Sequence, residues 1–310
     1  MAPKILLSDR IEDVCPELLK GAGFEVIENT GLSPEELAKI VGRYDGLVVR
    51  SATTVTREVL VQGKAGALKI VSRAGAGLDN IDTAAAKELG IKVVNTPGMN
   101  ANAVAELTVA LFIVLARKLG PAFSSVKEGR WEKKGLMGTE ITGKTLGLVG
   151  LGYVGSLVAQ KAKGLGMTVW AYDPFLKPED LAKSCAAAKG LEEIWAGADF
   201  VSLHLPKTPE TVNLVDAGVL GRMKKGSYLI NCARGGLVDE SALAEVLQHG
   251  PLAGAALDVF AEEPPGGSPL LALPNFVATP HLGASSEEAQ LNVAREAARL
   301  LIDFLAPGAK

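Results

Sequence analysis

Three polar residues that follow apolar runs carry the chemistry open to this sequence: Arg234 in SYLINCAR, Glu263 in AALDVFAEEP and His281 in FVATPH. Histidine takes and returns a proton near neutral pH. A carboxylate behind it fixes the tautomer and favours the imidazolium. A guanidinium grips a substrate carboxylate in two-point fashion and polarises the oxygen beside it. The three together suit oxidation of a secondary alcohol, in which a proton goes to a base and a hydride to an acceptor. Each alone has a plainer reading as a solvated loop residue. Only three histidines occur in 310 residues, and the other two show the same ambiguity. His249, in EVLQHGP, precedes Gly250 near a helix end, where an imidazolium suits the macrodipole. His204, in VSLHLP, closes another apolar run.

A hydride needs an acceptor, and KTLGLVGLGYVGSLVAQKAKGLGMTVWAYD supplies a place for one. It holds Gly150, Gly152 and Gly155 in the spacing G-x-G-x-x-G. The triplet alone is weak, and its plain reading is a helix-packing turn. Here it follows a strand pattern and opens a helix, and a second strand ends at Asp173, 18 residues past Gly155. Glycines in that setting let backbone N–H groups approach a pyrophosphate at a helix N-terminus. An acid at the end of the second strand accepts from the ribose hydroxyls of NAD and repels the 2′-phosphate of NADP.

These residues must be held by a sheet whose strand ends meet. Short β-branched runs alternate with helical patterns throughout: KILLSD, FEVIEN, GLVVRS, LKIVSR and KVVNT in the first third, then KTLGLVG, MTVWAYD, DFVSLHL, SYLINCA, AGAALDV and FVATPH. Alternation of this kind with fully apolar strands argues for parallel sheets covered on both faces. In a parallel sheet the carboxyl ends share one edge, where ligands bind. Six strands in the second series suit a dinucleotide-binding fold. Between the series the pattern predicts one long helix from about 102 to 119, then an arm or extended loop over 120–143. SSEEAQLNVAREAARLLIDFLA reads as a closing amphipathic helix, able to cross back to the first domain.

The bulk properties narrow the partners. A length of 310 residues suits two domains. Net charge is −3 without a basic block, since Lys133–Lys134 is only a local pair, so neither a nucleic acid nor a membrane surface is expected as partner. The longest apolar run, LTVALFIVLA, is too short to span a bilayer. MAPKILLSDR has too short an apolar stretch for a leader. Cys15, Cys185 and Cys232 are far apart and form no metal-ligand spacing, so no metal is expected and a reduced, cytoplasmic protein fits best.

GLVGLGYVGS, NCARGGLVDE, ALDVFAEEPP and TPHLGASSEEAQ resemble the D-2-hydroxyacid dehydrogenases. VVRSATTVT, RAGAGLDNID and WEKKGLMGTEITGKTLG resemble a branch of that family whose hydroxy acid is phosphorylated. The resemblance covers nearly the whole chain. It implies an α/β protein with parallel sheets: a flavodoxin-like substrate-binding domain (1–97 and 285–310) and a Rossmann NAD-binding domain (98–284). It implies that Arg234, Glu263 and His281 are catalytic and that Gly150, Gly152, Tyr153, Val154, Gly155, Asp173, Cys232, Ala233, Asp258, Gly283 and Ala284 surround NAD. It implies substrate contacts from Arg50, Ser51, Gly75, Ala76, Asn100, Arg234 and His281. Ala76 and Leu205 depart from the pattern, standing where relatives often carry Thr. The resemblance further implies a homodimer or higher homo-oligomer through the arm, and the handedness of the substrate. Some relatives continue into C-terminal regulatory domains, for which these 310 residues hold no counterpart. Other readings stay open: a hydroxypyruvate or glyoxylate reductase of the same family, or an NAD-sensing binding protein of corepressor type.

Overall fold

Five apolar runs in the first hundred residues become strands β1 (Lys4–Leu7), β2 (Glu25–Glu28), β3 (Gly46–Val49), β4 (Ile70–Arg73) and β5 (Lys92–Asn95). They belong to a computed structural model that describes residues 2–177, 179 and 186–306. The chain divides into two units, Met1–Ala101 with Ser285–Lys310, and Asn102–Ala284. Cys185 lies outside the described residues.

In the first unit the strands are parallel in the order β2-β1-β3-β4-β5. This is the flavodoxin-like order. Alternate side chains serve opposite faces. Leu6, Leu47 and Val71 pack into one core, and Ile5, Val48 and Ile70 into the other. The second core is closed by the C-terminal helix Glu287–Leu305, whose Ala294, Ala298 and Leu301 are fully buried. That helix starts where Ser286 accepts a hydrogen bond from Ala289 N–H. Helix Pro34–Ile40 begins with a full capping box between Ser33 and Glu36.

The second unit holds β6 (Thr145–Val149), β7 (Thr168–Tyr172), β8 (Ala187–Ala188), β9 (Phe200–Leu203), β10 (Tyr228–Asn231), β11 (Gly254–Leu257) and β12 (Phe276–Ala278). Their order, β12-β11-β10-β9-β6-β7-β8, is the dinucleotide-fold order with one further strand. Six strands are expected from sequence; the one not expected is the two-residue edge strand β8, too short to show a pattern. Central strands β9 and β11 are buried along their whole length. Phe200 stacks on Tyr228 at 4.8 Å between centroids and meets Phe112 at 5.8 Å.

The segment after residue 101 differs from expectation. Helix Ala101–Ala116 does not run to 119, because Lys118 takes a left-handed φ of 51°. A second helix, Leu119–Lys127, follows where an extended arm is expected. Pro121 sits in its first turn, where the missing N–H leaves no gap in the ladder. Gly129, at φ 76°, carries the chain away after it. Thr139 N–H then bonds Ala116 C=O at 2.8 Å, returning the segment to the first helix. Phe123, Val126, Trp131 and Met137 of this segment are exposed. Among the described residues no helix is long and apolar enough to cross a membrane.

Phe200→Ala removes a fully buried ring from the centre of the second sheet. The expected loss is about 3–5 kcal/mol of stability, read by denaturant unfolding followed at the second unit. A loss under about 1 kcal/mol would contradict this packing.

Candidate active site

The loops that leave the carboxyl ends of β6, β10, β11 and β12 build the site. After β6, Gly150 N–H bonds Tyr172 C=O at 2.8 Å and Gly150 takes φ 96°. A Cβ on Gly150 would lie 2.4 Å from His204 C=O, and one on Gly155 would lie 2.4 Å from Gly150 C=O. The protein itself therefore demands those two glycines. Gly152 is different. It caps helix Tyr153–Gly164 with φ −70°, and a Cβ there would meet nothing within 4 Å. Its bareness leaves the helix N-terminus open to a ligand that approaches the backbone, which fits a pyrophosphate. Tyr153 is exposed beside it and Val154 half-buried. Asp173, at the end of β7, accepts from Leu151 N–H at 2.9 Å through one oxygen and from Phe175 N–H at 3.0 Å through the other. It holds the glycine loop in shape while staying partly exposed. Leu205 packs its side chain toward Gly150.

His281 and Glu263 meet directly, Nδ1 to Oε2 at 2.8 Å. Neither is a strand terminus: β11 stops at Leu257 and β12 at Ala278, so both side chains stand on the following loops. Glu263 is steadied by Phe260 N–H, which donates to its other oxygen at 3.1 Å. His281 adopts φ 54°, rare for a residue with a side chain. Its N–H donates to the carbonyls of Asp258 and Thr279 at 2.9 and 3.0 Å. The fully buried Asp258 carboxylate accepts from Thr279 Oγ1–H at 2.6 Å, Leu282 N–H at 2.7 Å and Gly283 N–H at 2.8 Å. A Cβ on Gly283 would come within 3.1 Å of that carboxylate. Both members of the His–Glu pair remain exposed. A cavity of about 370 Å³ flanks them, walled by Phe260, Pro264, Pro265, Ala278, Thr279 and Pro280.

Arg234 lies on the loop after β10. Asn231 shapes that loop, accepting from Ala233 N–H at 2.9 Å and donating to Arg234 C=O at 2.8 Å. The Arg234 guanidinium donates to Ala233 C=O at 2.7 Å. A Cβ on Gly235 would lie 1.7 Å from Phe260 C=O, so the arginine loop runs against the loop that carries Glu263. Burial pushes the Cys232 thiol up to about 12, so it is no thiolate at neutral pH.

The other histidines separate clearly. Burial pushes the His204 imidazole down to about 4, which leaves it neutral with Nε2 3.0 Å from Ser202 Oγ. His249 is the last residue of helix Glu240–His249.

In the first unit, Arg50 follows β3, and its guanidinium engages Gln290 Oε1, Arg10 C=O at 3.4 Å and Glu12 at 4.0 Å. Ser51 is exposed and Asn100 half-buried. Gly75, at φ 152°, accepts from Thr96 N–H at 3.1 Å, and Ala76 C=O accepts from Asn95 Nδ2–H at 2.5 Å. Sequence reasoning did not single out Asn231 or Thr279, nor the left-handed backbone of His281. An Asn just past a strand end is a usable sign, since such side chains bond the backbone of the next turn.

Comparison with known proteins agrees with this geometry. Residues 109–283 match the family model described as D-isomer specific 2-hydroxyacid dehydrogenase, NAD binding domain. The chain is similar to a D-3-phosphoglycerate dehydrogenase of Synechocystis sp., 48% identical over 302 residues, which cover 97% of this chain and 54% of that protein. It thus spans about half the length of the curated relatives it matches. It also resembles the solved TT0316 protein from Thermus thermophilus at 37% identity and TM-score 0.90, over 98% of this chain and 97% of that one. A third likeness is the NAD+-bound 3-phosphoglycerate dehydrogenase of Entamoeba histolytica, at 31% identity and TM-score 0.83, over 99% and 97% of the two chains.

The glycine loop generates a paired expectation. Gly152→Ala leaves the melting temperature nearly unchanged and weakens NADH binding in a fluorescence titration. Gly155→Ala lowers the melting temperature, because the new methyl meets the Gly150 carbonyl. Unaltered NADH affinity in Gly152→Ala would show that no ligand approaches that backbone.

Proposed function

The chain belongs to the D-isomer specific 2-hydroxyacid dehydrogenases, and from that premise we propose that it oxidises D-3-phosphoglycerate to 3-phosphohydroxypyruvate with NAD, the first step of the phosphorylated route to serine. The observation that carries the dehydrogenase chemistry is the His281–Glu263 pair at 2.8 Å on the loops of a dinucleotide-binding sheet. The phosphorylated substrate is supported by the names of relatives such as the Synechocystis protein.

NAD, when bound, would supply the hydride acceptor for the carbon bearing the hydroxyl. Gly150, Gly152 and Gly155 would hold its pyrophosphate, Asp173 its adenosine ribose, and Cys232, Ala233 and Asp258 would line the nicotinamide end. The proton is the task of His281. Its Nδ1 faces Glu263, so Nε2 is the nitrogen that receives the hydroxyl proton. Glu263 favours the imidazolium that results. Arg234 takes the substrate carboxylate, leaving the hydroxyl carbon beside His281. Arg50 and Ser51, with Gly75, Ala76 and Asn100, are assigned to the remainder of the substrate. Self-association is part of the reading and is supported by the exposed Phe123, Val126, Trp131 and Met137. The cytoplasmic assignment is supported by the unpaired, buried thiols of Cys15 and Cys232.

Turnover on a panel of 3-phosphoglycerate, glycerate, lactate, hydroxypyruvate and glyoxylate tests the substrate. Preference for an unphosphorylated acid would reject 3-phosphoglycerate, and no turnover with NADH binding intact would favour a sensor. His281→Ala is expected to cut kcat by roughly 10²–10⁴-fold with little change in NADH affinity. Glu263→Gln is expected to shift the pH–rate profile, since an amide no longer favours the imidazolium. An unmoved profile would remove Glu263 from that role.

Cofactor choice is read separately. Asp173→Ala is expected to weaken NAD binding and to raise relative kcat/KM with NADP. An unchanged ratio between the two cofactors would sink the assignment of Asp173.

A further inference from the structure

The loop after β3, from Arg50 to Thr53, leaves the sheet with peptide groups that no strand satisfies. Two side chains satisfy them. The Asp9 carboxylate, 8% exposed and two residues past the end of β1, accepts from the N–H groups of Arg50 and Thr53 with Oδ2. Its Oδ1 accepts from Thr53 Oγ1–H at 2.9 Å. From the other side, Asn80 Nδ2 donates to the carbonyls of Arg50 and Thr53 at 2.7 and 2.6 Å. Asn80 is itself held, since its C=O accepts from Val55 N–H at 2.8 Å. Ser8, fully buried, holds its Oγ 3.1 Å from Thr53 Oγ1 and 3.3 Å from Val48 C=O, within donating distance of either. An acid thus gathers the donors of the loop, and an amide gathers its acceptors. Ser51 and Ala52 between them point to solvent.

We propose that Asp9, with Asn80, is a positioning residue for substrate binding: it fixes the Arg50–Thr53 loop in the shape that presents Arg50 and Ser51 to the hydroxy acid. The proposal rests on the functional reading above for the identity of that acid. The physical reason is preorganisation. A loop already ordered by its own hydrogen bonds loses little further freedom when substrate binds. Neither residue needs to touch substrate, so the effect falls on KM rather than on the proton or hydride step.

The test uses the whole chain and three variants. Asp9→Ala leaves the Arg50 and Thr53 N–H groups without their acceptor. It is expected to raise KM for 3-phosphoglycerate about 10- to 100-fold, the scale of a misplaced contact. Its kcat at saturation should hold within about threefold, because no reacting group is altered. Asp9→Asn is expected to recover most of the loss. Its amide oxygen can still take both N–H groups, and the Thr53 hydroxyl can turn to accept from the new NH₂ while donating to Ser8 C=O at 3.2 Å. Asn80→Ala should raise KM in the same way, and it carries the test if Asp9→Ala does not fold. NADH affinity should be unchanged in every variant.

Amide hydrogen exchange supplies a readout independent of turnover. Arg50 and Thr53 N–H should exchange faster in Asp9→Ala than in the unaltered chain, with the amides of β1 and β3 unmoved. Folded variants with unchanged KM overturn the proposal. So does equal KM in Asp9→Ala and Asp9→Asn, which would assign the effect to charge rather than to loop geometry. Unchanged exchange at Arg50 and Thr53 overturns it as well. If the unaltered chain prefers another hydroxy acid, the functional reading fails, and the same KM comparison is then made on that acid.

Discussion

The buried carboxylate of Asp258 is the contact on which the His281–Glu263 geometry depends. It takes the Thr279 hydroxyl and the Leu282 and Gly283 N–H groups, while its own carbonyl takes the His281 N–H. A carboxylate out of water is costly unless its oxygens are bonded. Here three short bonds meet that demand, and their combined geometry forces the chain after β12 into a tight turn. The turn places His281 in a left-handed conformation that a free histidine avoids. From that position its ring reaches Glu263. The strain at His281 and the satisfaction of Asp258 are two sides of one arrangement.

The same device recurs around both sheets. Asp9 lies two residues past β1, Asp173 one residue past β7, and Asp258 one residue past β11. Each accepts backbone N–H from the loop of an adjacent strand: Asp9 two groups from the loop after β3, Asp173 one from the glycine loop after β6, Asp258 two from the loop after β12. Parallel strands that end together release unsatisfied N–H groups along one edge. A short acidic side chain at the neighbouring strand end is well placed to collect them. The outcome is a set of functional loops held by their own peptide groups.

Residue types, spacing and alternation in the sequence determined much of this. The G-x-G-x-x-G run between two strand patterns, with an acid at the second strand end, marks a dinucleotide loop because few other structures need that order. Alternating apolar runs and capped helices identify parallel sheets, since both depend on local preference. The motif around His281 points to the same family as the matched model. The break at Lys118 was not legible. A left-handed residue inside an apolar helical pattern has no compositional mark when it is lysine, and exposed Phe123 and Val126 make the following helix look like irregular chain.

What only the tertiary structure decided is which side chains share a bond. The resemblance already favours Glu263 over its neighbour Glu262, but the 2.8 Å bond to His281 exists because Phe260 N–H and the turn after β11 aim its carboxylate there. His204 and His281 both follow apolar runs, but burial beneath the glycine loop keeps one neutral while the other stands exposed on its turn. Gly150, Gly152 and Gly155 look alike in sequence, and only the surrounding carbonyls separate two that the fold requires from one whose Cβ would meet nothing within 4 Å. Sequence specifies local preference and residue chemistry. Distances between residues dozens of positions apart, and the water they exclude, are set by how the strands register and where their loops turn.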